Sequence, residues 1–184
     1  MPIILGVSIV VLCILGYVIF LYNRFVWLDN QCNEGWSGID VQLKRRYDLI
    51  PTLVATVRGY AHYEEETLQK IIMMRNQARS HDIYQDKAVF ENEMISGVKQ
   101  LFALVEAYPD LKADKNFLQL QDTLIDIEDD LQRTRRYYNA TVRNLNTVVE
   151  TFPSCIVAKM FRFRQRTFFE IDEIERQNVK VDLQ

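Results

Sequence analysis

Two histidines and three cysteines are the whole stock of imidazole and thiol groups in this 184-residue chain. A zinc protease helix needs HExxH, and a carboxylate-bridged di-iron bundle needs a glutamate three residues before each ligating histidine. Gly59 and Ala78 occupy those places before His62 and His81, so neither site can be built. His62 reads as a surface histidine beside Tyr63 and Glu64. Cys13, Cys32 and Cys155 lie far apart and form no CxxC pair, which removes a zinc knuckle and a thioredoxin-like motif. Cys32 and Cys155 would pair only in an oxidising compartment. No glycine-rich phosphate cradle and no G-x-S-x-G elbow is present.

Two charged segments remain. Asp126, Glu128, Asp129 and Asp130 offer oxygen ligands, but on a helix carboxylates so close in sequence fan around the axis and do not converge on one ion. No EF-hand-like loop accompanies them, so the run reads as a solvated face. Further on, Lys159, Arg162 and Arg166 share a face if the segment is helical, with Arg164 interleaved among Phe161, Phe163, Phe168 and Phe169. Basic and aromatic side chains together suit an anionic lipid surface. The candidate lipid contacts are Lys159, Arg162, Phe163, Arg164, Arg166 and Phe168. The competing reading has the phenylalanines closing the end of a bundle while the arginines stay in water. A net charge of −3 gives no reason to expect nucleic acid, which needs a basic face. No catalytic residue, metal or cofactor is assigned.

The elements that carry these residues are helical. With 48% hydrophobic residues but only 6 Gly and 4 Pro, the composition suits long helices and not a loop-rich sandwich. Residues 3–22, IILGVSIVVLCILGYVIFLY, contain no charge and as a helix would be about 30 Å long, the thickness of a bilayer core. A cleaved signal peptide would show a basic start, a shorter apolar core and a small-x-small site; the bulky run from Tyr17 to Tyr22 fits an uncleaved anchor. Arg24, and later Lys44, Arg45 and Arg46, favour an extracytoplasmic N-terminus and a cytoplasmic domain in a single-pass membrane protein.

Helical spacing resumes at once with Trp36, Ile39, Leu43 and Tyr47. Pro51 predicts a break near residues 48–51 and a new helix from there to about Ser80. Its stripe Leu53, Val57, Tyr60, Glu64, Leu68, Ile71, Arg75 and Ala78 carries polar groups toward the interior. A turn is expected at His81-Asp82, then a helix over about 86–107 with Phe90, Met94, Val98, Leu101 and Leu104 on its apolar stripe. Pro109 stops it, and Asp110 or Asp114 is placed to cap the next. From Phe117 through Leu124, Ile127, Leu131, Tyr138 and Leu145, steps of three and four predict the longest helix of the domain. A break at Phe152-Pro153-Ser154 and a short helix through Ile156, Val157 and Met160 follow. The expected fold is all-α: an N-terminal transmembrane helix (1–23) followed by an antiparallel up-and-down helical bundle (24–169) and a polar tail (170–184).

Asn33-Glu34-Gly35-Trp36, Asp40 to Arg46, Asp48-Leu49-Ile50-Pro51, Tyr108 to Ala113, and Leu124, Glu128, Arg135, Arg136, Tyr138-Asn139, Asn146 and Phe152-Pro153-Ser154 together resemble the signature of the LemA family of bacterial membrane proteins. The resemblance spans about residues 23–169 and implies one N-terminal membrane helix with an antiparallel bundle. Asp129-Asp130 departs from it, since small or apolar residues are usual there. The family looks like a set of anchored scaffolds or adaptors without a catalytic set. Some relatives are associated with envelope stress and HtpX-type membrane proteases, and one branch with magnetosome membranes. The resemblance therefore implies a membrane-protein partner, with homo-oligomerisation and a self-assembling, membrane-organising or lipid-binding role as alternatives. Asp40, Arg45, Arg46, Asp48, Glu128, Arg135, Tyr138 and Asn139 form either a polar seam fixing helix register or a partner surface.

Overall fold

Pro51 does not end the first helix. In the computed structural model α1 runs unbroken over Pro2–Arg58, with Pro51 inside it. The expected break at residues 48–51 is thus corrected, and the chain turns instead at residues 59–64. A proline in a helix interior supplies no N–H to the carbonyl four residues back and ordinarily costs about 3 kcal/mol. That carbonyl belongs to Tyr47, and Arg75 Nε donates to it at 2.9 Å. A side chain from the next helix thus satisfies the group that proline orphans, and the helix continues.

The structure describes residues 1–61, 63–80 and 84–169, giving only the backbone for 84–90 and 92. His62, the expected turn at His81-Asp82, the Phe90 side chain and the tail 170–184 lie outside the described residues. After α1 come α2 (Glu65–Ser80), α3 (Tyr84–Val105), the single turn α4 (Pro109–Lys112), α5 (Lys115–Glu150) and α6 (Ser154–Phe161). Among the described residues there is no strand, so the chain is all-α.

Local chemistry explains the ends. Gly59 sits where α1 stops, and Arg58 in its last turn reaches Glu65 in the first turn of α2 at 2.9 Å, each charge favourable to its helix dipole. Pro109 opens α4 at the position where a missing N–H is harmless. Asp114 caps α5 as expected: its Oδ1 accepts the Phe117 N–H at 2.8 Å. That bond is the main reason its carboxyl sits below the usual range, with the Tyr60 hydroxyl donating to the other oxygen at 3.1 Å. The same contact pushes the Tyr60 phenol up.

The chain divides into two compact units, with α1 and α5 contributing to both. In the unit built on residues 40–132, Ile50, Leu53, Val54 and Val57 of α1 pack with Leu68 and Ile71 of α2, Met94, Val98 and Leu101 of α3, and Phe117 and Leu124 of α5. Gly97 lets α3 approach α2, since a Cβ there would stand 3.0 Å from Met74 Sδ.

In the other unit, the first along the chain, residues 1–39 meet 133–168. Here α1 and α5 run antiparallel and very close: a Cβ on Gly35 would lie 3.1 Å from the Tyr138 Cα, and one on Gly38 would lie 3.4 Å from Thr134 Cγ2. Trp36 meets the Tyr138 ring edge-on at 5.5 Å. Leu21, Phe25, Leu28, Cys32 and Ile39 form the buried stripe of α1, whereas residues 1–17 are exposed throughout. The three cysteines are free thiols, and burial pushes that of Cys32 up.

α6 is closed by a Schellman turn. Arg162 takes the left-handed conformation (φ 62), and the Phe163 N–H reaches back to Ala158 O at 2.9 Å. Residues 163–169 are not helical, so the expected common helical face of Lys159, Arg162 and Arg166 does not form.

Candidate functional site

The second unit holds an ionic cluster buried among helices. Arg46, on the core side of α1, donates to Glu91 Oε2 of α3 at 2.7 Å, and both side chains are 1% exposed. The Tyr47 hydroxyl donates to the other Glu91 oxygen. Glu128 of α5 forms an ion pair with the other terminal guanidinium nitrogen, while keeping a third of its side chain in water. Burial, followed by the Glu91 carboxylate, pushes the Tyr47 phenol far above its ordinary range. Three helices are tied by this cluster, and the Arg75 bond to the Tyr47 carbonyl adds α2 beside it. Arg46, Tyr47 and Glu91 are shut away from solvent, and a buried cluster of this kind can fix the register of the helices it joins.

Around it the remaining candidates scatter. Arg45 reaches Gln42 at 2.9 Å and Asp130 at 3.5 Å on the exposed surface, so the unusual Asp130 has a partner on α1. Asp48 and Asp129 are exposed and Asp40 is half-buried. The acidic run of α5 is spread around the helix, and among the described residues no group of three His, Cys, Asp or Glu could hold a metal. An open groove between α2 and α3 is lined by Lys70, Met73, Met74 and Glu93 among others.

In the first unit, Arg135 and Tyr138 are buried in α5 and Asn139 is half-buried. The Tyr138 hydroxyl donates to Thr167 O at 3.0 Å. Asn146 holds both backbone groups of Arg166, donating to its carbonyl and accepting from its N–H, each at 2.9 Å. The Arg166 guanidinium pairs with Asp29 of α1 at 2.8 Å. Residues 162–168 are thereby strapped onto α1 and α5. The six candidate lipid contacts consequently divide. Phe163 stacks on Phe25 at 4.8 Å and Arg166 is held by Asp29, whereas Lys159, Arg162, Arg164 and Phe168 point outward.

The sequence model of the LemA family matches residues 35–183. The chain belongs to the LemA family. It is 29% identical to Protein LemA of Metamycoplasma hominis, over 90% of this chain and 78% of that one. It is also similar to the magnetosome protein MamQ of Magnetospirillum gryphiswaldense, at 21% identity over 91% of this chain and 72% of the relative. Magnetosome protein MamQ 1 of Paramagnetospirillum magneticum matches at 20% over 89% of the chain.

Read on this LemA chain, the signature residues serve packing in visible ways. Gly35 permits the α1–α5 approach, Arg46 and Glu128 join the ionic cluster, Tyr138 and Asn146 hold the strap, and Ser154 Oγ lies 2.7 Å from Val148 O at the turn into α6. Sequence reasoning missed Glu91 altogether, and it placed Tyr47 and Arg75 on helical stripes without joining them to the cluster. Glu91 falls in phase with Met94, Val98 and Leu101, and a charge at a core-phase position is the signal that marks it.

Proposed function

We propose that this LemA-family chain is a non-catalytic, single-pass membrane scaffold whose anchor and bundle share one helix. The carrying observation is the continuity of α1, which runs from an apolar segment long enough to cross a membrane, and wholly exposed in its apolar window, into the bundle cores. Removal of residues 1–22 as a signal peptide would take away Leu21, buried in the first unit, and Tyr22, whose ring meets Phe161 at 4.9 Å. That favours an uncleaved anchor. The main charged cluster is spent on helix register, which supports an adaptor over an enzyme. The basic side chains after the span favour a cytoplasmic bundle.

The test is cross-linking of the full chain in its native bacterial membrane followed by identification of the adducts, an HtpX-type protease being the first candidate to look for. A reproducible membrane-protein partner, lost on charge reversal of exposed bundle residues, is the expected result. Self-adducts alone would turn the reading to a self-assembling membrane organiser, toward which the likeness to MamQ points.

A further inference from the structure

The end of the first unit carries an apolar surface that packing does not use. α6 turns Val157 and Ala158 inward, where they are buried. Ile156 and Met160, four residues apart on α6 and so on one side, are 58% and 59% exposed, and Phe152 in the turn before the helix is 76% exposed. Lys159, Arg162 and Arg164, in and just after α6, are exposed too. A short helix in water would normally reverse this pattern.

The position of α6 along α1 gives the reason. Phe161 meets Tyr22 edge-on at 4.9 Å, and Phe163 touches both Tyr22 and Phe25. Leu21 is buried although every residue from 1 to 17 is exposed, so the end of the bundle reaches the last turn of the apolar segment and stops. The antiparallel pairing of Gly35 with Tyr138, followed toward the start of α1, brings the end of α5 level with about residue 23. If residues 3–22 span the bilayer, α6 lies at the plane where the headgroups begin.

We propose that α6, with Phe152, is a second membrane contact: an interfacial helix that seats Phe152, Ile156 and Met160 at the acyl boundary of an anionic leaflet while Lys159, Arg162 and Arg164 meet lipid phosphates. This rests on the reading of residues 3–22 as a span, and it deepens that reading. An anchor with one contact can swivel and tilt; a second contact, strapped to α1 through Arg166–Asp29 and to α5 through Asn146, fixes how the bundle leaves the surface. Apolar burial supplies seating and the cations supply leaflet preference. Phe163 and Arg166 act differently from the outward residues, since they attach the element to the protein and not to lipid.

The test uses the full chain in phosphatidylcholine–phosphatidylglycerol vesicles, with a photoreactive benzoylphenylalanine replacing Leu12, Ile156, Met160 or Ile125 in turn. Ile125 on α5 is a control of comparable exposure at 50%. Lipid adducts are expected at Leu12, Ile156 and Met160, and none at Ile125. Lys159→Glu with Arg162→Glu and Arg164→Glu should lower the adduct yield at Met160 several-fold and leave Leu12 unchanged, as should pure phosphatidylcholine. Adducts at Leu12 but not at Ile156 or Met160 would overturn the α6 contact and leave the span standing. Their absence at Leu12 as well would overturn both. Undiminished yield at Met160 after charge reversal would refute the anionic preference.

Discussion

Replacing Arg46 by alanine tests whether the buried cluster is a register device. The change strips Glu91, 1% exposed, of its guanidinium and leaves a carboxylate buried among apolar helices. Breaking such a pair from one side costs about 3–5 kcal/mol. Glu128, with 32% of its side chain exposed, rehydrates and adds little. At about 2–4 °C per kcal/mol for a chain of this size, the unfolding midpoint should fall by roughly 6–20 °C. The companion variant removes the three buried members together, Arg46→Met, Tyr47→Phe and Glu91→Leu, and leaves Glu128, whose side chain is 32% exposed. With no fully buried charge or hydroxyl left unpaired it should lie within about 2 kcal/mol of the wild type, or above it. Far-ultraviolet circular dichroism of the full chain in detergent micelles, in urea and on heating, reads both. Added salt should hardly move the wild-type midpoint, because a pair excluded from water is weakly screened. Arg46→Ala within about 1 kcal/mol of the wild type would refute the reasoning, as would a triple variant as unstable as the single one. Partner recovery from membranes should survive in the triple variant; its loss in a stably folded protein would make the cluster a binding surface instead.

Arg75→Met should cost about 1–3 kcal/mol by orphaning the Tyr47 carbonyl, but much less in a Pro51→Ala background, where an N–H returns to bond it. A double-mutant cycle showing no coupling between the two sites would contradict the explanation of the unbroken helix. Gly35→Ala should destabilise by about 1 kcal/mol or more despite alanine's better helix propensity, because its Cβ would meet the backbone of Tyr138; unchanged or raised stability would show that α5 yields. Asp114, whose carboxyl is held low chiefly by the Phe117 N–H, contributes stability that is fully present above its unfolded pKa of about 4 and is lost as pH falls through the lower folded value. The stability difference between the wild type and Asp114→Asn should therefore be constant near neutrality and shrink only in acid, which urea titrations across pH would read.

Much of the fold was legible because its signals are local. The apolar run at residues 3–22, the steps of three and four from Phe117 to Leu145, the Asp114 cap and the Phe152-Pro153-Ser154 break each declare themselves within a few turns of chain. The break between α1 and α2 was not legible from Pro51, since what rescues the helix there is Arg75, 28 residues away. Gly59, followed by Glu65 and Glu66 at the start of α2, was the better punctuation. The same distance hid the ionic cluster: Arg46 and Glu91 are 45 residues apart, and only their core phase on separate helices hints at a pairing. The basic–aromatic segment was visible by composition, but its division into strap and outward surface depends on the left-handed turn at Arg162, which no glycine announces.

The most direct test of the shared helix is intact-mass analysis of the chain recovered from alkaline-washed membranes. A single continuous helix that both anchors and builds the bundle predicts a carbonate-resistant species retaining residues 1–22. A soluble species beginning near residue 23 would contradict it, because α1 would then enter the bundle without its anchor.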